Sequence, residues 1–355
     1  MSKDQKILVL NIATDSKDTS LGFAISWLNE FSKKYHEVDV ITLKKGDISN
    51  LSENVNVNDI GDSNKSKINK AIKLFKLINK LTKESNYKYC LSHMSPGMVA
   101  ISSIIFKIRK IDLLLWYTHK GPKNLFGKII LFFGYLFANK IITGSENSFP
   151  YKGKKVKVIG HAIDYKYFYV ENNFSDYTYR GRPNIPIDFA IVSRIAKSKN
   201  IEESIKGYLL SIPSTMGSLL IIGGPLTKED SEYNEYLLEK YKKYENINFI
   251  GAVPHSELKN YLKKVKFHIN NTDEGFYDKS VLETTVHGII NLYKNSDYDK
   301  IFNKTGDSLF KFDGSSKDLG AKINTIFNYE NHTMSRRSDI ARVFKHRITT
   351  GQENL

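Results

Sequence analysis

Apolar runs alternate with amphipathic segments along the first half of the chain. The runs predict buried strands at 6–12, 37–43, 87–92, 112–118, 140–145 and 155–160. Between them, apolar residues at helical spacing predict helices at 22–35, 64–83, 96–107 and 127–140. Parallel strands need crossover connections, so this alternation predicts a parallel sheet covered by helices.

The alternation pauses at residues 165–186, which are rich in turn-forming residues, and then starts again. The second series predicts strands at 187–194, 218–224, 247–253 and 266–271. The predicted helices are at 200–210 and 254–265, together with a long charged helix that ends at 244. We therefore predict an α/β protein with two Rossmann-like, doubly wound parallel-sheet domains that face each other across a cleft. The domains are predicted at 1–175 and 176–332, with ligands beyond the carboxyl ends of the strands.

The composition indicates in which cellular compartment the protein is expected. The 355 residues include one cysteine, Cys90, so neither a disulfide framework nor a cysteine metal cluster is expected within the chain. The first apolar run is about eight residues long, which is too short for a signal peptide or a spanning helix. We expect a cytoplasmic protein.

The net charge of +15 lies mostly in the first half, where residues 1–170 carry 27 Lys plus Arg against 14 Asp plus Glu. Residues 65–83 form a lysine-rich amphipathic helix with apolar positions that include Ile68, Ile72 and Phe75. Such a helix suits an anionic membrane surface or another polyanion, or is the solvated side of a core-packed helix. We expect peripheral membrane contact and no nucleic acid. Residues 127–140 are interpreted as a buried helix, with membrane docking as the alternative.

Two common nucleotide motifs are missing from the sequence. A Gly-x-Gly-x-x-Gly run does not follow the first strand, and a P-loop motif is absent throughout. In the second half, however, Arg194 ends a predicted strand, and Lys199 lies just before a helix that Asn200 and Glu203 are expected to cap. Two cations at a helix start can bind a pyrophosphate, although a plain surface pair is the alternative.

The segment "NNTDEGFYDKSVLETTVHG", residues 270–288, supports the pyrophosphate hypothesis. Gly275 allows close approach of the backbone to a ligand, and Ser280 is expected to cap a helix that begins at Val281. The amides of that helix start can bind a phosphate. Glu283 can accept hydrogen bonds from vicinal hydroxyls, or it serves only as the second member of a capping box with Ser280.

The succession "SRIAKSKN", "LLIIGG", "INFIGAVPHSELKNYLKKVKFHINN", "EGFYDKSVLE" and "HG" resembles the nucleotide-sugar domain of retaining GT-B-fold glycosyltransferases, in particular glycosyltransferase family 4. The first half resembles the family more loosely, through "LGFAISWLNEF", "EVDVIT", "WYTH", "KIITGS" and "KVKVIGHAID". The resemblance implies that residues 333–355, a predicted C-terminal helix, pack back on the N-terminal domain.

The resemblance also implies roles for individual residues. Arg194 and Lys199 match the pair that binds the donor diphosphate, and Glu283 matches the acid that holds the ribose. Residues 251–254, including Val253, match the turn that contacts the base. Gly22 matches a glycine loop near the diphosphate. The catalytic candidates, which face the donor sugar, are His119 and Glu274.

One departure from the family pattern leaves an assignment open. The family has seven residues between its two glutamates, whereas Glu274 and Glu283 enclose eight. Either the loop carries an insertion, or Gly275 takes the place of the first acid and Lys279 follows near the phosphates. The donor-binding candidates therefore include Gly275, Lys279, Ser280 and Val281.

Three hypotheses of function follow. The first is a retaining, metal-independent glycosyltransferase of the hexosyltransferase type, which moves a sugar from a nucleotide sugar to a glycan or lipid-linked acceptor. In this hypothesis cations and helix amides, not a metal or another cofactor, stabilise the leaving diphosphate. The second is a catalytically silent nucleotide-sugar-binding or scaffolding protein. The third is a polyanion-binding protein that uses the lysine-rich helix.

Overall fold

The computed structural model describes residues 5–61, 66–169, 187–211, 216–263, 265–302 and 310–328. The chain divides into two compact units, Met1–Gly160 with Pro254–Ser256, and His161–Val253 with Glu257–Leu355. The predicted domain boundary at 175 and the predicted helix at 333–355 both lie outside the described residues.

The first unit is built on a parallel sheet of seven strands in the order β3-β2-β1-β4-β5-β6-β7. The strands are β1 (Lys6–Thr14), β2 (Glu37–Lys45), β3 (Val55–Asp59), β4 (Tyr87–His93), β5 (Asp112–Trp116), β6 (Lys140–Thr143) and β7 (Val156–Val158). The sequence predicted all of them except β3, whose five residues are mostly polar or half-buried. Its short length and its asparagines hide it from a search for apolar runs.

Among the described residues, five helices precede the second sheet. They are α1 (Ala24–Lys34), α2 (Lys67–Glu84), α3 (Pro96–Arg109), α4 (Leu125–Phe137) and the short α5 (Tyr165–Phe168), which belongs to the second unit. The crossovers through α2, α3 and α4 all run in the same direction across the sheet, whereas α1 runs in the opposite direction. Because parallel crossovers are right-handed, α2, α3 and α4 form one layer on one face of the sheet.

The second unit has a five-stranded parallel sheet in the order β10-β9-β8-β11-β12. Its strands are β8 (Ile187–Val192), β9 (Met216–Ile222), β10 (Ile247–Gly251), β11 (Val265–Asn270) and β12 (Ile290–Tyr293). Its further helices are α6 (Ile201–Leu210), α7 (Lys228–Tyr241), α8 (Leu258–Leu262), α9 (Lys279–Val286), α10 (Asp299–Phe302) and α11 (Ser316–Asn328). The sequence prediction missed β12, α10 and α11, and it made α8 too long.

Two helices of the first unit expose apolar side chains. In α2 the buried side chains are Leu74, Ile78 and Thr82, whereas Ile68, Ile72 and Phe75 are exposed. This helix carries two apolar stripes, and only one of them faces the sheet. The prediction of a buried helix at 127–140 was wrong, because the buried residues of α4 are only Leu131 and Gly134. Apolar composition does not by itself reveal which side a neighbouring element covers.

No helix among the described residues is both long enough and apolar enough to cross a bilayer.

A buried histidine joins the two central strands of the second sheet. His268 on β11 accepts a hydrogen bond at Nε2 from the Val192 amide of β8, at 3.3 Å. Nδ1 is therefore the protonated nitrogen, and it donates to Asn291 Oδ1 on β12 at 2.6 Å. Burial lowers the pKa of His268 from 6.5 to about 4, so the ring is neutral near pH 7. The histidine thus serves the packing of three strands.

The buried ring predicts a specific pH dependence. Between pH 6.5 and about 4 the unfolded chain binds a proton at His268 that the folded protein does not bind. The contribution of His268 to the free energy of unfolding should therefore be fully present above pH 6.5. It should fall on acidification, with a loss of up to about 3 kcal/mol. Denaturant unfolding from pH 7 to 4.5 should show a shallower loss for His268→Gln than for the wild type.

The variant His36→Gln, at an exposed position, is the matched control. Identical pH dependences for the wild type and His268→Gln would contradict this assignment.

Candidate functional site

The candidate site lies at the carboxyl edge of the second sheet. The chain leaves β8 towards β9 and β10 on one side, whereas β11 and β12 lie on the other side. The ends of β8 and β11 therefore form the point where the strand order reverses, which is the usual ligand position in an open α/β sheet. Arg194 and Lys199 follow β8, and the segment 271–278 follows β11.

Two glycines bring the loops after β8 and β9 close together. The Gly223 amide donates to Gly251 O at 2.8 Å, and the Ile195 amide donates to Gly224 O at 3.0 Å. A Cβ on Gly223 would lie 1.9 Å from Ser193 O, and its φ of +142° also disfavours a side chain. The Gly-Gly pair after β9 therefore fixes where the chain leaves β8.

The centre of the site is an ion pair between the two loops. Lys199, in a 3-10 turn at Lys197–Lys199, donates from Nζ to Asp278 Oδ1 at 2.6 Å. The side chains are only 10% and 20% exposed, so solvent screens this pair little. The ammonium also lies 5.4 Å from the centre of the Phe276 ring. Lys199, which was predicted to lie just before α6, is thus also held at the start of α9, where an unpredicted carboxylate balances its charge.

The predicted cap of α6 is wrong in its chemistry. Asn200 does occupy the N-cap position, but its φ of +48° is left-handed and its side chain makes no capping hydrogen bond. The side-chain amide instead donates to Asn271 O at 2.9 Å. Asparagine tolerates the left-handed region, so this residue turns the chain and ties the start of α6 to the loop after β11.

The start of α9 also differs from the prediction. The helix begins at Lys279, and Asp278 is the N-cap, whereas Ser280 had been expected to cap a helix from Val281. Asp278 makes no hydrogen bond to the first-turn amides, because its oxygens bind Lys199 and, at 3.0 Å, Asn270 Nδ2. The side chain of the N-cap residue, Asp278, therefore does not cap these amides. They remain suited to an anion at the positive end of the helix dipole.

Further interactions hold Asp278 in place. The Asp278 amide donates to the Tyr298 hydroxyl at 2.6 Å, and Tyr298 is fully buried. The Tyr298 ring stacks on Tyr277, with centroids 4.9 Å apart. The start of α9 is therefore fixed from its backbone as well as from the ion pair.

Glu283 and Lys279 lie inside α9. The Glu283 side chain is buried, and burial lowers the pKa of Lys279 well below its usual range, an effect that the Glu283 charge opposes. Ser280 does not form the predicted capping box with Glu283, because its Oγ is buried and has no hydrogen-bond partner among the described residues. Val281 is completely buried in the core of the second unit.

The loop after β11 places Glu274 and Gly275 differently. Glu274 is exposed and accepts a hydrogen bond from Ser296 Oγ. Gly275 is buried, has a φ of +82°, and donates its amide to Asp297 Oδ2 at 2.6 Å. This geometry explains why a glycine is needed at 275.

Arg194 is held by another acid. Its Nε lies 3.9 Å from Asp230 Oδ2, and the arginine side chain is 38% exposed. Asp230 is itself engaged in the capping box of α7 with Thr227. The pair is therefore loose, and the guanidinium retains donors that can turn towards a ligand.

The other predicted residues are distributed over both units. Val253, which follows β10, packs half-buried against the core of the second unit. Gly22 lies in the first unit, in the turn before α1, where a Cβ would be 2.5 Å from Asp18 O. His119 follows β5 of the first unit, is exposed, and contacts the edge of Tyr117 at 6.1 Å between ring centres.

Sequence reasoning missed the residues that hold the site together. Asp230 and Asp278 are the acids beside the two cations. Asn270 and Tyr298 bind Asp278, Asn271 binds Asn200, and Asp297 binds Gly275. A usable signal was the polar run "NNTDEG" directly after the apolar strand β11, because polar residues at a strand's carboxyl end face the ligand edge. Within the described residues, no group of three or more His, Cys, Asp or Glu is arranged to hold a metal ion.

Comparisons with known proteins agree with this architecture. Residues 16–145 match the family model described as glycosyl transferase 4-like. No curated protein matches this sequence. The fold is similar to that of Anabaena Alr3699/HepE in complex with UDP and glucose, with a TM-score of 0.77 at 14% identity over 99% of this chain and 98% of that one.

Two other solved structures are similar over nearly the whole chain. A glycosyltransferase from Rickettsia africae has a TM-score of 0.71 at 13% identity, covering 99% of this chain and 94% of that one. Sucrose-phosphate synthase from Thermosynechococcus elongatus has a TM-score of 0.69 at 14% identity, with 98% and 94% coverage. The two parallel-sheet units and these similarities confirm the predicted two-domain, Rossmann-like GT-B fold. At such low identity they establish the fold alone.

The ion pair at the centre of the site yields a stability prediction. Asp278→Asn should leave the shielded Lys199 ammonium without its carboxylate and should lower the free energy of unfolding by about 1–3 kcal/mol. Chemical denaturation at pH 7 measures the change.

The control is Glu239→Gln, which removes an acid from a surface pair with Lys242 whose side chains are mostly exposed. It should change stability by about 0.5 kcal/mol or less. Equal effects of the two variants would show that the Lys199–Asp278 pair is no more important than a surface contact.

Proposed function

We propose that this protein is a glycosyltransferase that moves a sugar from a nucleotide sugar to a hydroxyl of a glycan or lipid-linked acceptor. The observation that carries this proposal is the position of Lys199 at the start of α9, whose N-cap side chain makes no capping hydrogen bond, at the strand-order reversal of the second sheet. The match of residues 16–145 to a glycosyl transferase 4-like family supports the same reaction class.

The diphosphate is the part of the donor that this site fits best. Its oxygens would accept hydrogen bonds from the first-turn amides of α9 and from Lys199, and Arg194 would turn from its loose contact with Asp230. The donor would have to compete with Asp278 for the Lys199 ammonium, because that pair is already formed. Binding is therefore an exchange of one anion for another.

The remaining donor contacts follow the family resemblance. Glu283 would accept hydrogen bonds from the ribose hydroxyls, and the turn that contains Val253 would contact the base. The UDP complex of the similar Anabaena protein makes uridine the first base to test. Glu274 and His119 are the proposed residues of the sugar and acceptor side, and Gly22 would allow close approach of the backbone to the donor.

The chemical step breaks the bond between the sugar C1 and the β-phosphate oxygen and forms a bond from C1 to the acceptor oxygen. The nucleoside diphosphate carries away the electron pair of the broken bond, and the acceptor proton passes to the departing β-phosphate. Negative charge grows on the leaving oxygen while the sugar becomes oxocarbenium-like. Preorganised cations and amides stabilise that charge more in the transition state than in the ground state. We propose that Lys199, Arg194 and the start of α9 do this without a metal ion.

A second candidate, a silent nucleotide-sugar-binding or scaffolding protein, is favoured by one observation. The ammonium of Lys199 is neutralised by the shielded carboxylate of Asp278, and Glu274 already accepts a hydrogen bond from Ser296. If these contacts persist when a donor is bound, the site would bind a nucleotide without stabilising its departure. Turnover separates the two candidates.

Lys199→Ala should reduce donor turnover about 10²-fold or more, because it removes a cation from the leaving diphosphate. Release of nucleoside diphosphate from a panel of nucleotide sugars, UDP-glucose among them, measures the effect. Lys197→Ala is the matched control, since Lys197 lies in the same 3-10 turn but is exposed and pairs with Glu229. It should change the rate by about twofold or less.

Nucleotide binding without wild-type turnover would favour the silent candidate. Equal turnover by the two alanine variants would exclude Lys199 from the reaction.

The stereochemistry and the metal requirement are tested in one reaction. NMR of a turnover mixture in excess chelator should show a product with the anomeric configuration of the donor, formed at the rate seen without chelator. An inverted product would contradict retention. A rate that chelator abolishes and Mg²⁺ restores would contradict the role given to Lys199 and the α9 amides.

A further inference from the structure

The helix α4 presents an unusually apolar surface to solvent. Seven of its thirteen residues are exposed large apolar side chains, and four of these are Phe126, Phe132, Phe133 and Phe137. Phe133 and Phe137 stack on each other with ring centres 5.8 Å apart. A soluble surface rarely gathers so many aromatic residues on one helix unless something covers them.

The packing of α4 explains why these side chains point outward. Gly134 lies against the first turn of α3, where an added Cβ would be 2.5 Å from the Cβ of Pro96. The side of α4 that packs inward is therefore formed by Gly134 and Leu131. The aromatic residues are left on the outer side.

The neighbouring helices of the same layer continue this surface. The helix α3 packs against both α2 and α4. It exposes Ile104 and Ile108, and α2 exposes Ile68, Ile72 and Phe75. The second apolar stripe of α2, which does not face the sheet, therefore lies in the same helical layer as the α4 surface.

The apolar residues lie in a strongly basic region. Residues 94–163 contain eleven Lys and Arg and only two acids, Asp112 and Glu146. Lys123 and Lys128 flank the first turns of α4, and Lys107 and Arg109 lie at the end of α3; all four are exposed. A helix with aromatic and aliphatic side chains surrounded by lysines is typical of those that lie in the interface of an anionic bilayer.

We propose that the outer face of α4, with the adjoining exposed residues of α3 and α2, binds the surface of an anionic lipid bilayer. The helix has thirteen residues and is thus about 20 Å long, too short for a hydrocarbon core of about 30 Å. It lies parallel to the membrane plane, with its phenylalanines in the acyl boundary and its lysines at the head groups.

Charge selects a bilayer over a second copy of the chain as the occupant. Two copies that met through this face would bring two basic regions together, and like charges across an interface oppose association. An anionic bilayer instead supplies negative charge around the apolar patch. The surface predicted from the sequence at 65–83 is therefore extended, and its centre moves to α4.

The test uses the full-length protein and sedimentation with sucrose-loaded phosphatidylcholine vesicles, with and without roughly 30% phosphatidylglycerol. We expect about tenfold or stronger binding to the anionic vesicles, weakened by salt. Phe126→Ser with Phe133→Ser should reduce binding about tenfold or more. Leu210→Ser with Leu238→Ser, at exposed positions of the second unit, is the matched control and should bind like the wild type.

Two further variants keep the test decisive if the serine variant folds poorly. Lys123→Glu with Lys128→Glu should weaken binding to anionic vesicles only. Phe126→Trp should show a blue-shifted emission with these vesicles and quenching by brominated lipid acyl chains. The proposal would be overturned if the wild-type protein bound anionic vesicles no more strongly than neutral vesicles. A lipid-independent dimer lost in the serine variant, or nucleic-acid binding without vesicle binding, would overturn it in favour of that other partner.

Discussion

The geometry of the candidate site depends on the contact between Lys199 and Asp278. This pair joins the turn after β8 to the start of α9 at 2.6 Å, across the point where the strand order reverses. A shielded ion pair is stable only when further hydrogen bonds satisfy its members, and Asn270 donates such a bond to the Asp278 carboxylate. The buried Tyr298 accepts a hydrogen bond from the Asp278 backbone amide and so fixes the residue itself. The helix start is thereby held in one orientation before any ligand binds, which is the preorganisation that charge stabilisation requires.

The same contact sets the electrostatics of ligand binding. The two cations that the sequence predicted each have an acid nearby, Asp278 for Lys199 and Asp230 for Arg194. Around these two cations the positive charge is thus balanced by acids. The sequence shows the same contrast, since the excess of Lys and Arg over Asp and Glu lies mostly in the first half of the chain. Under the proposed function, a diphosphate would replace these carboxylates at the cations and would meet the first-turn amides of α9, which Asp278 does not cap. Such a site would favour a polyvalent anion over a simple one, because a polyvalent anion can contact a cation and the helix start at once.

The two sheets were predictable because buried parallel strands are continuous apolar runs, as in Leu8–Leu10 and Leu219–Ile222. The polar strand β3 carried no such signal. The helix faces of α2 and α4 were not predictable, since two apolar stripes on one helix look alike in sequence. At the site, Lys199 was found by its position before a helix, but its pairing with Asp278, 79 residues away, depends on tertiary structure. Asn200 was expected to cap and instead turns the chain, because the two uses of asparagine share one local pattern.

Anion binding at Lys199 and the start of α9 is tested by a calorimetric titration of the wild-type protein with nucleoside diphosphates, the matching nucleosides and simple sugars. A nucleoside diphosphate should bind and should raise the melting temperature by mass action, whereas the nucleosides and sugars alone should do neither. Absence of binding by every nucleotide would refute anion binding at this site, since the cations and the start of α9 would then have no anion to hold.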